Sequence, residues 1–310
     1  MPNTLRLAIV LLGITLVIAS LTGCDRSEMS APRDPGRPRI VVTIAPVAGL
    51  VSELVGESAE VTTLLPAGAS PHGYEMSPQD VRALGRADLI VAVGLGLEPW
   101  LEQRLRTAPE LAKRSVAFAD IVGIKAHAHH DHHHDHDHDH SGPDPHLWLD
   151  PVLAGRFVRG IADDLPLGLA DSASALVEPV AARIEETNAA WEMRLRPLEG
   201  KAIVTHHAAF GRPAERYGLM VAKVLRPVET NEPNPRELAE AVRAISENDA
   251  RAIFIEPQFN GTAAERIAEA AGVELGRLDP LGSGDWFAMM DANLEELVRA
   301  LGASGVAEKP

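Results

Sequence analysis

Short apolar runs alternate with amphipathic stretches along most of the chain. RIVVTIAPV (39–47) reads as a strand, AGLVSELVG (48–56) as an amphipathic helix and AEVTTLLP (59–66) as a second strand. A loop, AGASPHGYEMSP, leads into the helix PQDVRALGRA, with Ser77 placed as its cap. DLIVAVGLG (88–96) is apolar almost without a break, the pattern of a strand buried on both faces. Helix is expected again over VLAGRFVRGIADDL (152–165) and through a long stretch from Asp171 to Leu198. Pro179 falls inside that stretch, so the helix either starts there or bends there. The alternation then resumes. KAIVTHH, LMVAKVLRP, ARAIFIEPQ and VELGRL read as strands; AAFGRPAERYG, PNPRELAEAVRAISEND, NGTAAERIAEAAG and DWFAMMDANLEELVRALG read as helices. Two runs of strand–helix units around one long helix predict an α/β protein of two lobes, each a parallel sheet flanked by helices. The expected lobes are residues 38–168 and 199–304, joined by a linking helix over 169–198. No sequence repeat relates them.

The N-terminus follows different rules. In residues 1–24, MPNTLRLAIVLLGITLVIASLTGC, Arg6 precedes an apolar core from Leu7 to Ile18. The apolar run of about 15 residues falls short of the roughly 18–20 that a membrane span needs. A cleaved signal peptide over 1–23 is therefore expected. LTGC resembles a bacterial lipobox with Cys24 as the lipidated residue, and Asp25 resembles the inner-membrane retention signal of Gram-negative lipoproteins. Residues 24–37 are polar and rich in Pro and Gly, a flexible tether. Cys24 is the only cysteine. Once acylated, it leaves none for a disulfide or a thiolate ligand, so any metal site must use His, Asp or Glu.

A net charge of −15 over 310 residues argues against nucleic acid as a partner and suits a protein that attracts cations. The thirteen histidines are not scattered. Nine crowd one tract, His127, His129, His130, His132, His133, His134, His136, His138 and His140, within the expected loop 126–144. The other four are His72, after the second strand, His146, opening DPHLWLDP, and His206 and His207, ending KAIVTHH. Asp279 ends VELGRL in the same way. In open α/β sheets, ligands bind beyond the carboxyl ends of the strands. Neighbours on an extended chain point to opposite faces, so His206 and His207 do not easily serve one site together. GLGLEPW lacks the third glycine of a dinucleotide fingerprint, and neither HExxH nor GxSxG occurs.

SPHGYEMSPQD, GLGLEPW, DPHLWLDP, HAAFGRPAERYGL, IFIEPQF and LDPLG resemble, in order, the signatures of zinc and manganese solute-binding proteins of ABC transporters, the ZnuA-like group. The resemblance runs over about residues 38–303. It implies two α/β lobes joined by a rigid helix, with metal held in the cleft between them and delivered to a membrane permease driven by a separate ATPase. It assigns metal ligation to His72, His146, His207 and Asp279, with a water as the alternative to Asp279. Pro71 stands where some members of that group carry a glutamate as an alternative ligand, which leaves Asp279 as the better fourth candidate, and Arg212-Pro213 follows AFG where the family usually has an aromatic.

Three imidazoles and one carboxylate suit Zn²⁺. Manganese members typically replace the third histidine with glutamate, and manganese binds such a nitrogen-rich set more weakly, so Mn²⁺ is the secondary expectation. Glu75 and Glu256 are candidate outer-shell acceptors for ligand N–H groups. The tract of alternating His and Asp cannot bury a core, but it can hold several zinc ions weakly. It is expected either to capture or sense zinc, or to be a solvated insertion that binds metal incidentally. A lipid-anchored, monomeric, non-enzymatic zinc carrier on the outer face of the cell membrane is the expected whole. The alternatives are a manganese-binding member, or a storage or adhesion protein of the same fold. A secreted zinc hydrolase would need an open coordination position and a general base.

Overall fold

The computed structural model describes residues 36–125, 143–166, 168–225 and 235–302. The signal peptide, Cys24, most of the tether and the nine tract histidines lie outside them. From Pro38 onward the chain forms one compact unit. It contains two four-stranded parallel sheets. The first is built from β1 (Arg39–Val42), β2 (Glu60–Thr63), β3 (Leu89–Ala92) and β4 (Ser115–Ala117), in the order β2-β1-β3-β4. The second uses β5 (Ala202–Thr205), β6 (Met220–Val224), β7 (Ala252–Ile255) and β8 (Glu274–Arg277), in the order β6-β5-β7-β8. The two orders are the same, although the sequence shows no repeat. The apolar runs fall where this order needs them: β3, β5 and β7 are buried along their whole length, and β1 is buried over Ile40–Val42. The edge strand β2 alternates exposed and half-buried residues.

The linking helix, Ala170–Leu195, has 26 residues and runs through Pro179 rather than starting at it; a 3₁₀ turn, Arg196–Leu198, completes the crossing. The last helix, Trp286–Gly302, packs on the linking helix, on the helix Ala45–Val55 of the first lobe and on β8 of the second. One apolar cluster accordingly runs through both lobes, from Ile40 and Leu50 to Phe254, Trp286 and Leu297. Two indoles tie the lobes together through hydrogen bonds. Trp148 Nε1 donates to the Pro280 carbonyl at 2.6 Å, and Trp286 Nε1 donates to the Trp148 carbonyl at 2.8 Å. Both indoles are buried, so exposing these bonds costs apolar burial as well.

The stretch after β3 holds the least expected feature. Gly94, Leu95 and Gly96 all have positive φ, 85°, 57° and 79°. Two glycines adopt this conformation freely and Leu95 does not. The resulting turn brings Glu98 back over the end of β3. There its carboxylate accepts hydrogen bonds from the Thr43 hydroxyl (2.6 Å), the Val93 N–H (2.9 Å) and the Gly94 N–H (3.1 Å). Glu98 is only 1% exposed, and burial pushes its pKa up despite these three donors. GLGLEPW is thus a turn built around a buried carboxylate at the switch point between β1 and β3. Glu98→Ala strands three donors and should cost about 3 kcal/mol in denaturant unfolding. A carboxyl with a raised folded-state pKa contributes most at low pH and less as pH rises through that value. The cost should therefore be larger near pH 4.5 than at pH 7.5, and a cost that grows with pH would contradict this arrangement.

Candidate metal centre

His72 sits in the loop between β2 and the helix Pro78–Arg86, whose start is fixed by a capping box between Ser77 and Asp80. Trp100, on the helix Pro99–Thr107, anchors the loop by donating from Nε1 to the Pro71 carbonyl at 2.9 Å. His146 enters the 3₁₀ turn Leu147–Leu149. Asp144 Oδ1 lies 2.7 Å from its ring Nδ1 and accepts from its backbone N–H at 2.9 Å. One carboxylate oxygen thus holds both the main chain and the ring. His207 follows β5 with extended backbone, φ −130° and ψ 167°. The His206 N–H still pairs with the Phe254 carbonyl at 2.8 Å. The main-chain pairing thus reaches one residue beyond β5, and His207 follows it in extended backbone.

Among the described residues, His72, His146 and His207 bring candidate ligand nitrogens within 4.8 Å of one another. Their ring centroids are 5.7 Å (His72–His146), 5.4 Å (His72–His207) and 4.9 Å (His146–His207) apart. A tetrahedral zinc with Zn–N near 2.0–2.1 Å needs nitrogens about 3.4 Å apart, a spacing inside that 4.8 Å limit. His206 is buried instead against Phe259, with ring centroids 4.9 Å apart. The three histidines line a cavity completed by Ser70, Trp148, Glu256, Gln258, Phe259 and Leu281 among others.

Two of the imidazoles face carboxylates through Nδ1: His146 faces Asp144, and His207 faces Glu256 at 3.3 Å. When an imidazole's Nδ1–H is donated to a carboxylate, its Nε2 lone pair is left to face the cavity, the arrangement of a metal-binding histidine. Burial acts to raise the pKa of Asp144. The His146 bonds outweigh it, the Arg212 charge adds to them, and the carboxyl is held below its ordinary value. Asp279 is not part of this three-histidine group. Its Oδ1 accepts from Gln258 Nε2 at 2.8 Å and from the Leu281 N–H at 3.0 Å. Glu75 is exposed on the His72 loop. Sequence reasoning missed Asp144, Gln258 and Trp100. For Asp144 a signal existed, since an Asp two residues before another residue can accept that residue's N–H.

A family profile described as the periplasmic component A of the zinc-uptake complex, ZnuA, matches residues 40–300. The chain belongs to the ZnuA family. Within it, the chain is 32% identical over 319 residues to a high-affinity zinc uptake system protein ZnuA of Paracoccus denitrificans, covering 93% of this chain and 95% of that protein. It is 29% identical over 313 residues to the zinc-binding lipoprotein AdcA of Streptococcus pneumoniae, covering 96% of this chain but 62% of the length of AdcA. A crystal structure of a ZnuA superposes with a TM-score of 0.72 at 28% identity, covering 86% of this chain and 99% of that one.

Proposed function

We propose that this ZnuA-family protein captures Zn²⁺ outside the cytoplasm and hands it to an ABC-type permease driven by a cytoplasmic ATPase. The observation that carries the reading is the meeting of His72, His146 and His207, from three distant segments and both lobes, at one largely buried point. Their imidazole nitrogens are the ligands in this reading. Asp279, whose Oδ1 accepts from Gln258, is the fourth ligand through its other oxygen in this reading, with a water as the alternative. Three nitrogens favour zinc over manganese. Glu256 and Asp144 orient the rings from behind, and Glu75 is too exposed to add to them. No helix of the described residues is long and apolar enough to cross a membrane. Attachment of the mature protein rests on lipid at Cys24 in this proposal, and residues 24–37 give it reach.

The tract His127–His140 is proposed as an auxiliary store of weak zinc sites. Zinc titration of the protein with and without residues 127–140 tests the division. Deletion should remove the shallow phase and leave one tight equivalent, with zinc the metal found by elemental analysis of protein purified without added metal. Loss of the tight equivalent would show that the tract supplies a primary ligand. Turnover of an ester or peptide by the zinc-loaded protein would favour the hydrolase instead.

A further inference from the structure

The segment carrying His146 is gripped by the short helix that follows His207. Arg212 and Arg216 stand about one turn apart on that helix, Gly211–Arg216. Arg212 donates from Nε and Nη2 to the main-chain oxygen of Asp144 at 3.1 and 2.7 Å, and its Nε lies 3.6 Å from Asp144 Oδ2. Asp144 in turn holds the ring and the backbone N–H of His146 through Oδ1. Arg216 donates from Nη2 to Asp150 Oδ2 at 2.5 Å, while Asp150 Oδ1 caps the helix Pro151–Ile161 through the Val152 N–H at 2.9 Å. Both ends of the stretch 144–150 are thus pinned to the helix that starts four residues after His207.

We propose that Arg212 is a positioning residue for metal capture: acting through Asp144, it fixes the ring plane of His146 and its distance from His207. The inference rests on His146 being a zinc ligand. The logic is geometric. Asp144 Oδ1 can hold the His146 ring only if residue 144 itself stays put, and the side chain fixing its main chain belongs to the opposite lobe. The planar guanidinium puts two N–H groups on one carbonyl while keeping positive charge beside Oδ2, which an ammonium cannot do in the same way. Arg216 braces the other end. His146 and His207 are then a preformed pair, with centroids 4.9 Å apart, to which His72 adds from its loop. Affinity lost to a loosened ligand is an entropic cost that this brace removes before zinc arrives.

The test uses the whole mature chain in chelator-buffered zinc, where the weak tract sites stay empty, with the visible spectrum of bound Co²⁺ as a geometric probe. Arg212→Met should lower zinc affinity about 10- to 100-fold, speed zinc release to a chelator and shift the Co²⁺ spectrum. Arg212→Lys should restore part of each, and it carries the test if Arg212→Met does not fold. Arg183→Met is the control for lobe packing. Arg183 lies 3.7 Å over the Phe287 ring and 3.2 Å from Glu53, so its loss should lower the melting temperature with affinity and spectrum unchanged. Wild-type affinity and spectrum in Arg212→Met would overturn the proposal, as would an equal affinity loss in Arg183→Met. His146→Ala separates the two levels. Unchanged zinc affinity there would sink the ligand assignment and the brace together, whereas a large loss there with Arg212→Met intact sinks the brace alone.

Discussion

His207→Ala should lower zinc affinity by two to three orders of magnitude, while His206→Ala leaves it within a few-fold. Four-ligand zinc sites bind with about 10–16 kcal/mol, so one ligand carries roughly 2.5–4 kcal/mol, or about 100- to 1,000-fold. The two residues are adjacent and both buried, so neither burial nor composition separates them. Their ring contacts do. The His206 N–H continues the pairing of β5 with β7, and its ring lies against Phe259; the His207 ring meets His72 and His146. His206→Ala should therefore appear as lost stability, about 2 kcal/mol for a truncated buried side chain. The pair is best measured in chelator-buffered zinc beside unfolding curves for the metal-free proteins. A collapse of affinity confined to His206→Ala would reverse the assignment.

The contrast between these neighbours shows how much a single sequence carries. Period-two reasoning said that only one of the pair faces a given site, but not which, because both lie beyond the last strand residue and either register was open. The two-lobe architecture was legible because parallel strands buried on both faces leave unbroken apolar runs, as in LIVA of β3 and AIFI of β7. The stretch 97–125 was not legible. Its strand β4 is three residues long and half-buried, and the helix Pro99–Thr107 is mostly polar, so neither leaves a strong period. That stretch nevertheless supplies Trp100, which anchors the loop of His72, and Glu98, which holds the end of β3. Asp144 and Arg212 were obscure for another reason. They are 68 positions apart, and the bond between them uses a main-chain oxygen that no side-chain motif advertises. Asp279 was marked from its strand-end place, but its engagement by Gln258 depends on a side-chain rotamer and is written nowhere in the order of residues.

Gly49→Ala should be the most damaging single-methyl change in the first lobe, although Gly49 lies within a helix, where alanine is ordinarily better. On an open helix face, glycine to alanine gains about 1 kcal/mol. A Cβ on Gly49 would lie 2.1 Å from the Gly284 carbonyl oxygen, 3.1 Å from its carbon and 3.3 Å from the Trp286 nitrogen. All three are backbone atoms, so no side chain can rotate away. Either the helix Ala45–Val55 lifts off or the loop before the last helix moves. That loop is itself constrained, since Gly284 has φ +110° and Gly282 φ +56°. Displacing it also disturbs the Trp148–Pro280 and Trp286–Trp148 hydrogen bonds that join the lobes. Overpacking of this kind costs roughly 1–3 kcal/mol and more where backbone must shift, so a net loss of about 3 kcal/mol is expected after the helix gain is counted. Gly85→Ala is the matched control. Gly85 lies in the helix Pro78–Arg86 with nothing within 4 Å of its added Cβ, and its substitution should stabilise by a few tenths to 1 kcal/mol. Denaturant unfolding of the two metal-free variants decides the matter: opposite signs support lobes seated backbone to backbone at Gly49, and a stabilised Gly49→Ala would mean that they are not in contact there.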